Sequence, residues 1–141
     1  MMRKLDQRGV AALEFCLVAV LFFTLMFVIF DLGRYAITVQ SLRALANAGA
    51  RATMVGPQGN ACYTDAAIAK KTPSCSGDPL SLAQKQAVAP FLYAGGLTPT
   101  LSASTGATAI TVTASQPGFS MLMPIWGLGL NAPSASTEIP F

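Results

Sequence analysis

From Val10 to Phe30 the chain reads VAALEFCLVAVLFFTLMFVIF, and nineteen of these 21 residues are apolar, with Glu14 and Thr24 the exceptions. At about 1.5 Å of rise per residue such a helix is roughly 31 Å long, the thickness of a bilayer's hydrocarbon core. A helix on the surface of a soluble domain carries a polar stripe at helical period. None is present between Phe15 and Phe30. The pattern predicts a transmembrane helix over 10–30. The run exceeds the apolar region of an ordinary signal peptide, and no A-x-A site follows it closely. The nearest small-residue pattern is ALANAGA at 44–50, so the segment is expected to stay attached at its C-terminal end.

Beyond Arg34 the pattern becomes periodic. Leu32, Tyr35, Val39, Leu42 and Ala46 recur at spacings of 3, 4, 3 and 4, one face of a helix. Arg34, Gln40, Arg43, Asn47 and Arg51 supply the polar surface. No breaker intervenes before Gly56-Pro57. One helix is therefore expected from Val10 to Met54, roughly 67 Å long. Ala44, Ala46, Ala48, Gly49, Ala50 and Ala52 make its second half small-faced, so that another element can approach closely. The expected neighbour is the chain's own globular part, with a subunit contact as the alternative.

Residues 56–141 are rich in Gly, Pro, Ser and Thr. They read as a small α+β domain with a short helix and an antiparallel sheet. One helical turn is expected at 65–71. Asp78-Pro79 has the chemistry of a helix start, Asp as cap and Pro at the first position. It predicts a helix over 79–93 presenting Leu82, Ala83, Val88 and Leu92, ended early or kinked at Pro90 and stopped by Gly95-Gly96. TAITVTAS at 108–115 alternates β-branched residues and predicts a strand. A partner strand is expected near 97–103 and a last one at 134–139. FSMLMPIWGLGL at 119–130 is too short and too broken by Pro and Gly to span a bilayer. It is core, a patch against another subunit, or a membrane-facing lip; Phe119, Met121, Met123, Ile125 and Trp126 are the candidate contact residues.

Composition supports a chain partly out of water: 52% apolar and only 11% charged residues. Arg3, Lys4 and Arg8 precede the span against Asp6, whereas Asp31 and Arg34 cancel after it. The excess positive charge places the N-terminus in the cytoplasm and residues from about 31 onward outside. The net charge of +3 is too small and scattered to argue for nucleic acid. Histidine is absent, which removes the commonest general base and metal ligand. The six carboxylates are dispersed, and no Gly-rich loop carries the lysine of a phosphate site. Neither an enzyme, nor a cofactor, nor a metal site is expected. Cys16 lies within the span as a small apolar filler. Cys62 and Cys75, in C-x12-C spacing, fit neither a redox C-x-x-C pair nor a zinc knuckle. In an exported domain they would most simply form a disulfide; in a cytosolic loop they would be two free thiols.

Glu14 is the anomaly, since a carboxylate inside a span usually has a functional reason. Gly9 ends the basic leader, and Glu14 is the fifth residue counted from Val10, followed by Phe15. GVAALEF resembles the cleavage motif of type IV prepilins and pseudopilins, in which a membrane-embedded peptidase cuts after the glycine. FDLGRYA at 30–36 and LANAGARAT at 45–53 resemble segments of the TadE family, small pseudopilins of tight-adherence (Tad/Flp) pilus systems. The match covers roughly residues 8–53 and includes Asp31, Gly33, Arg34, Gly49 and Arg51. Family members often carry a mid-span proline where this chain has Val20. The sister pseudopilin TadF shares the leader pattern.

The resemblance implies processing between Gly9 and Val10 and a long first helix. It implies residence in the bacterial inner membrane and a role in assembling a pilus for surface attachment. The implied partners are a prepilin peptidase, other pilins and pseudopilins, the Tad inner-membrane assembly platform and the lipid bilayer. Physics gives Glu14 an independent reason. It lies about 6 Å along the axis from Val10 and can snorkel. The ammonium freed at Val10 could meet Glu14 of a neighbouring subunit and set the axial register. The alternative from another class is an unprocessed single-pass anchor that displays a small binding or sensing domain.

Overall fold

The computed structural model describes residues 7–56, 61–127 and 129–141, and only the backbone of Gln7 and Arg8. Arg3, Lys4, Asp6 and Pro57, which entered the reading above, lie outside the described residues. Helix α1 runs unbroken over Gln7–Val55. Its 49 residues make it about 74 Å long. No proline interrupts it, and the backbone continues through Val20, whose carbonyl accepts a bond from Thr24 Oγ1 at 2.7 Å.

The two halves of α1 differ in what surrounds them. No residue from Gly9 to Phe30 is buried. From Asp31 onward, Thr38, Leu42, Leu45, Ala46, Gly49, Ala50 and Thr53 are buried along one face. That face is rotated slightly from the expected one. Leu32 is exposed, and Asp31 and Thr38 take the stripe in its place. The correction has a local cause: both polar side chains are hydrogen-bonded, Thr38 Oγ1 donating to the Arg34 carbonyl at 2.8 Å, so burial leaves neither unsatisfied.

The small C-terminal domain packs on this face. Strands β1 (Thr100–Thr105), β2 (Ala109–Ser115) and β3 (Ser134–Pro140) form an antiparallel sheet in sequence order. Period-2 alternation puts Leu101, Ala103, Ile110, Val112, Ala114 and Ile139 on the buried side against Leu42, Leu45, Ala46 and Ala50. The register pairs Leu101 with Ala114, Ala103 with Val112 and Ile110 with Ile139. At Gly49 a Cβ would stand 3.0 Å from Val112 Cγ1 and 3.2 Å from Leu101 Cδ2. The missing side chain lets helix and sheet meet, so the small face of α1 serves the chain's own domain there.

Helix α2 (Cys62–Ile68) is the next described element after α1, close to the expected 65–71. The Cys62–Cys75 disulfide, with Cα atoms 5.7 Å apart, ties its start to the segment beside β1. There the Cys75 N–H donates to Thr105 Oγ1 at 2.7 Å and the Ala103 N–H to the Gly77 carbonyl at 2.7 Å. The stapled segment thereby covers part of an open sheet edge.

Helix α3 (Leu82–Val88) is shorter than the expected 79–93 and starts later. Ser81, not Asp78, is its cap: Ser81 accepts the Gln84 N–H while Gln84 Oε1 accepts the Ser81 N–H. This reciprocal pair satisfies two donors at once. Asp78 is occupied with the Leu80 N–H and Lys85. Leu82 and Val88 are exposed, contrary to expectation, and Ala89 and Leu92 are the buried residues of the region. Pro90 opens a 3-10 segment, Pro90–Gly96, which ends at the positive φ of Gly95 and Gly96.

Candidate functional site

Residues 116–133 leave the sheet between Ser115 and Ser134, which are paired across β2 and β3. A connection of this length, carrying only a single 3-10 turn at Pro124–Trp126, is uncommon inside a compact domain. Its neck is closed by backbone bonds from the Gln116 N–H to the Pro133 carbonyl at 3.0 Å and from the Ala132 N–H to the Phe119 carbonyl at 3.0 Å. Asn131 Oδ1 accepts the Met121 N–H at 3.0 Å. Phe119 anchors the loop. It is buried, its ring centroid lies 6.3 Å from that of Tyr35, and the Arg34 guanidinium stands 5.4 Å from the centroid.

The loop is held to α1 by Asp31, the residue that follows the apolar run. Its carboxylate accepts the Leu122 N–H at 3.0–3.1 Å and the Met123 N–H at 3.0 Å. Arg34 Nη1 stands 3.5 Å from Asp31 Oδ1. The Asp31 side chain is only 1% exposed, shielded by these immediate neighbours. Burial, the largest influence, pushes its pKa up; the Met123 and Leu122 N–H groups and the Arg34 charge together outweigh it, so the carboxyl lies below its ordinary value. The Trp126 indole adds the smallest pull in the same direction. Its N–H falls outside the geometry of a full hydrogen bond and is buried without another partner among the described residues.

The residues singled out in the sequence do not form one cluster. Gly9, Val10, Glu14 and Phe15 lie on the exposed first turns of α1. Asp31, Arg34 and Phe119 come together at the boundary between apolar helix and domain. Gly33 is exposed beside them with open space around it. Gly49 sits under the sheet, and Arg51 is exposed nearby. The 119–130 segment divides, rather than acting as one patch. Phe119 is core, Met121, Met123 and Trp126 are half-buried, and Ile125 is exposed. Leu122, which sequence reasoning passed over, is 73% exposed. Its signal was the run of apolar residues from Met121 to Trp126 itself, too many for a loop of this size to bury. Among the described residues no three Cys, Asp or Glu side chains are placed to hold a metal ion.

One helix among the described residues is long and apolar enough to cross a membrane, and its most apolar stretch is entirely unburied. No curated protein and no solved structure matches the chain. A family model does: residues 9–51 match that of TadE-like protein. The match begins at the glycine of the cleavage-like motif and ends within the small face of α1. With the exposed apolar helix it suggests a membrane-anchored protein associated with a tight-adherence pilus. Over residues 9–51, from Gly9 to Arg51, this chain is a match to the TadE-like protein family.

Proposed function

We propose that the chain is a TadE-like pseudopilin, processed by a prepilin peptidase after Gly9 and acting in assembly of a tight-adherence pilus used for surface attachment. The observation that carries this reading is the TadE-like match, which starts at Gly9 and spans the helix. The bare apolar surface of α1 supports it, because that surface needs lipid or other apolar helices around it. The role is structural and not catalytic. The protein sits in the inner membrane, N-terminus in the cytoplasm and the α+β domain outside. It works with the peptidase, other pilins and the assembly platform.

In this reading the cut frees an ammonium at Val10, and Glu14 of one subunit meets that ammonium on the next. The pair fixes axial register while the apolar helices pack laterally. The Gly9–Val10 bond lies in the first turns of α1, so the peptidase must open that turn. Glycine, the weakest helix former after proline, lowers the cost of opening by about 1 kcal/mol relative to alanine. The continuous helix through this bond is also the observation that favours the second reading, an unprocessed anchor displaying the outer domain.

Intact mass and N-terminal sequencing of the membrane-extracted protein, with the peptidase present and absent, separate the two. Processing predicts a peptidase-dependent chain of 132 residues (141 − 9) starting at Val10, and Gly9→Val should abolish it. A full leader retained beside an active peptidase rejects the pseudopilin reading in favour of the anchor.

A further inference from the structure

We propose that the tip of the 116–133 loop, Leu122 to Trp126, is a second membrane-contacting element. It rests in the leaflet on the domain's side of the bilayer that α1 crosses, with Asp31 as its latch. The proposal rests on the membrane-anchored reading of α1 and is independent of any pilus role.

Height comes first. Asp31 directly follows Phe30, the last apolar residue of the run, and binds the backbone of Leu122 and Met123. The tip is therefore fixed at the level where the lipid-facing surface ends. Met123 goes further: with Phe27, Thr24, Phe23, Val20 and Cys16 it lines an apolar groove of about 450 Å³ along α1. The tip continues the surface of the membrane helix.

Chemistry comes second. Leu122 is 73% and Ile125 62% exposed, two apolar side chains at the tip of the loop. No Asp, Glu, Lys or Arg occurs between Lys85 and Glu138, so the loop brings no ionised side chain of its own into lipid, and the one carboxylate bound to it, Asp31, is capped by two backbone N–H groups and Arg34 at the end of the span. Irregular backbone is tolerated at membrane depth only when its polar groups are satisfied. Here the N–H groups of Met121, Leu122 and Met123 are bonded to Asn131 and Asp31, and the Gly127 N–H to the Pro124 carbonyl at 3.3 Å. Trp126 stands at the position where tryptophan is enriched, the interface between headgroups and chains. Arg34, half-exposed above it, lies at headgroup height. A protein partner fits less well: two protruding side chains fall far short of the roughly 1,000 Å² that a specific interface needs.

Trp126 is the sole tryptophan, so its fluorescence reads the loop directly. The full chain is reconstituted in phosphatidylcholine vesicles at high lipid excess, with acyl chains unlabelled or brominated near the headgroup, and flotation is checked in the same samples. We expect floated protein whose emission falls at least twofold in brominated lipid and responds weakly to iodide. Leu122→Ser with Ile125→Ser, both exposed positions, should at least halve that quenching while the protein still floats. Floated protein with equal emission in both lipids overturns the proposal. Emission shielded from bromine and iodide at high protein density, and open to iodide on dilution, assigns the tip to a second copy and overturns it equally. Protein that fails to float overturns the anchor reading and the loop contact with it.

Discussion

A carboxylate covered by its neighbours ordinarily becomes neutral, and Asp31 stays ionised only because two backbone N–H groups and Arg34 aim at it. Its pKa lies below the ordinary 3.8. A depressed folded-state pKa means that the latch is fully present above the ordinary carboxylate value and is lost as pH falls through the lowered one. Trp126 emission should therefore stay constant from neutral pH down to about pH 4 and change only below it. Asp31→Asn should remove that acid transition in a pH titration of fluorescence. Gly49 makes the opposite kind of contribution, through absence. With Val112 Cγ1 at 3.0 Å from its Cβ position, Gly49→Val should destabilise the domain by about 1–3 kcal/mol, seen as a lower thermal midpoint. The sequence marks both residues as unusual, an acid after an apolar run and a glycine inside a helix. It does not reveal why, since the backbone N–H partners of Asp31 lie 91 and 92 residues away.

Among the elements, α1 is legible because an apolar run of bilayer length passes into one helical periodicity with no breaker between them. Strand β2 is legible because TAITVTAS alternates, and its observed burial alternates with it. The expected partner near 97–103 is displaced to Thr100–Thr105. Pro99 cannot donate to a ladder, so pairing begins after it. The helix start at Asp78-Pro79 failed for a competitive reason. Ser81 and Gln84 can satisfy each other reciprocally, whereas Asp78 has Lys85 and the Leu80 N–H as partners. The Cys62–Cys75 disulfide, expected on the condition that the domain is exported, is present. It closes a short loop, so its reduction, or Cys62→Ser with Cys75→Ser, should cost on the order of 3 kcal/mol. Denaturant midpoints with and without dithiothreitol measure this, and an unchanged midpoint would show that the strand-edge bonds of Cys75 hold the segment unaided.

For the whole molecule, one helix serves two environments: its first half is bare and its second half is the spine of a small domain. Glu14 stands on the bare half, where nothing in the isolated chain engages its side chain among the described contacts, so its effect should appear only in an assembly. Glu14→Ala is expected to leave membrane insertion intact, read by carbonate extraction, and to reduce piliation severalfold, read by electron microscopy. Full piliation by this variant would remove the register role. The sequence by itself determined the apolar span, the long helix, the alternating strands and the TadE-like segment, because each is written in neighbouring residues through local period or fixed spacing. Only the tertiary structure decided which face of α1 is buried, that Gly49 admits the sheet, and that Asp31 seizes the 116–133 loop at the end of the span. Those depend on meetings between residues far apart in the chain. Their energies lie in packing and in satisfied backbone groups, which no local pattern encodes.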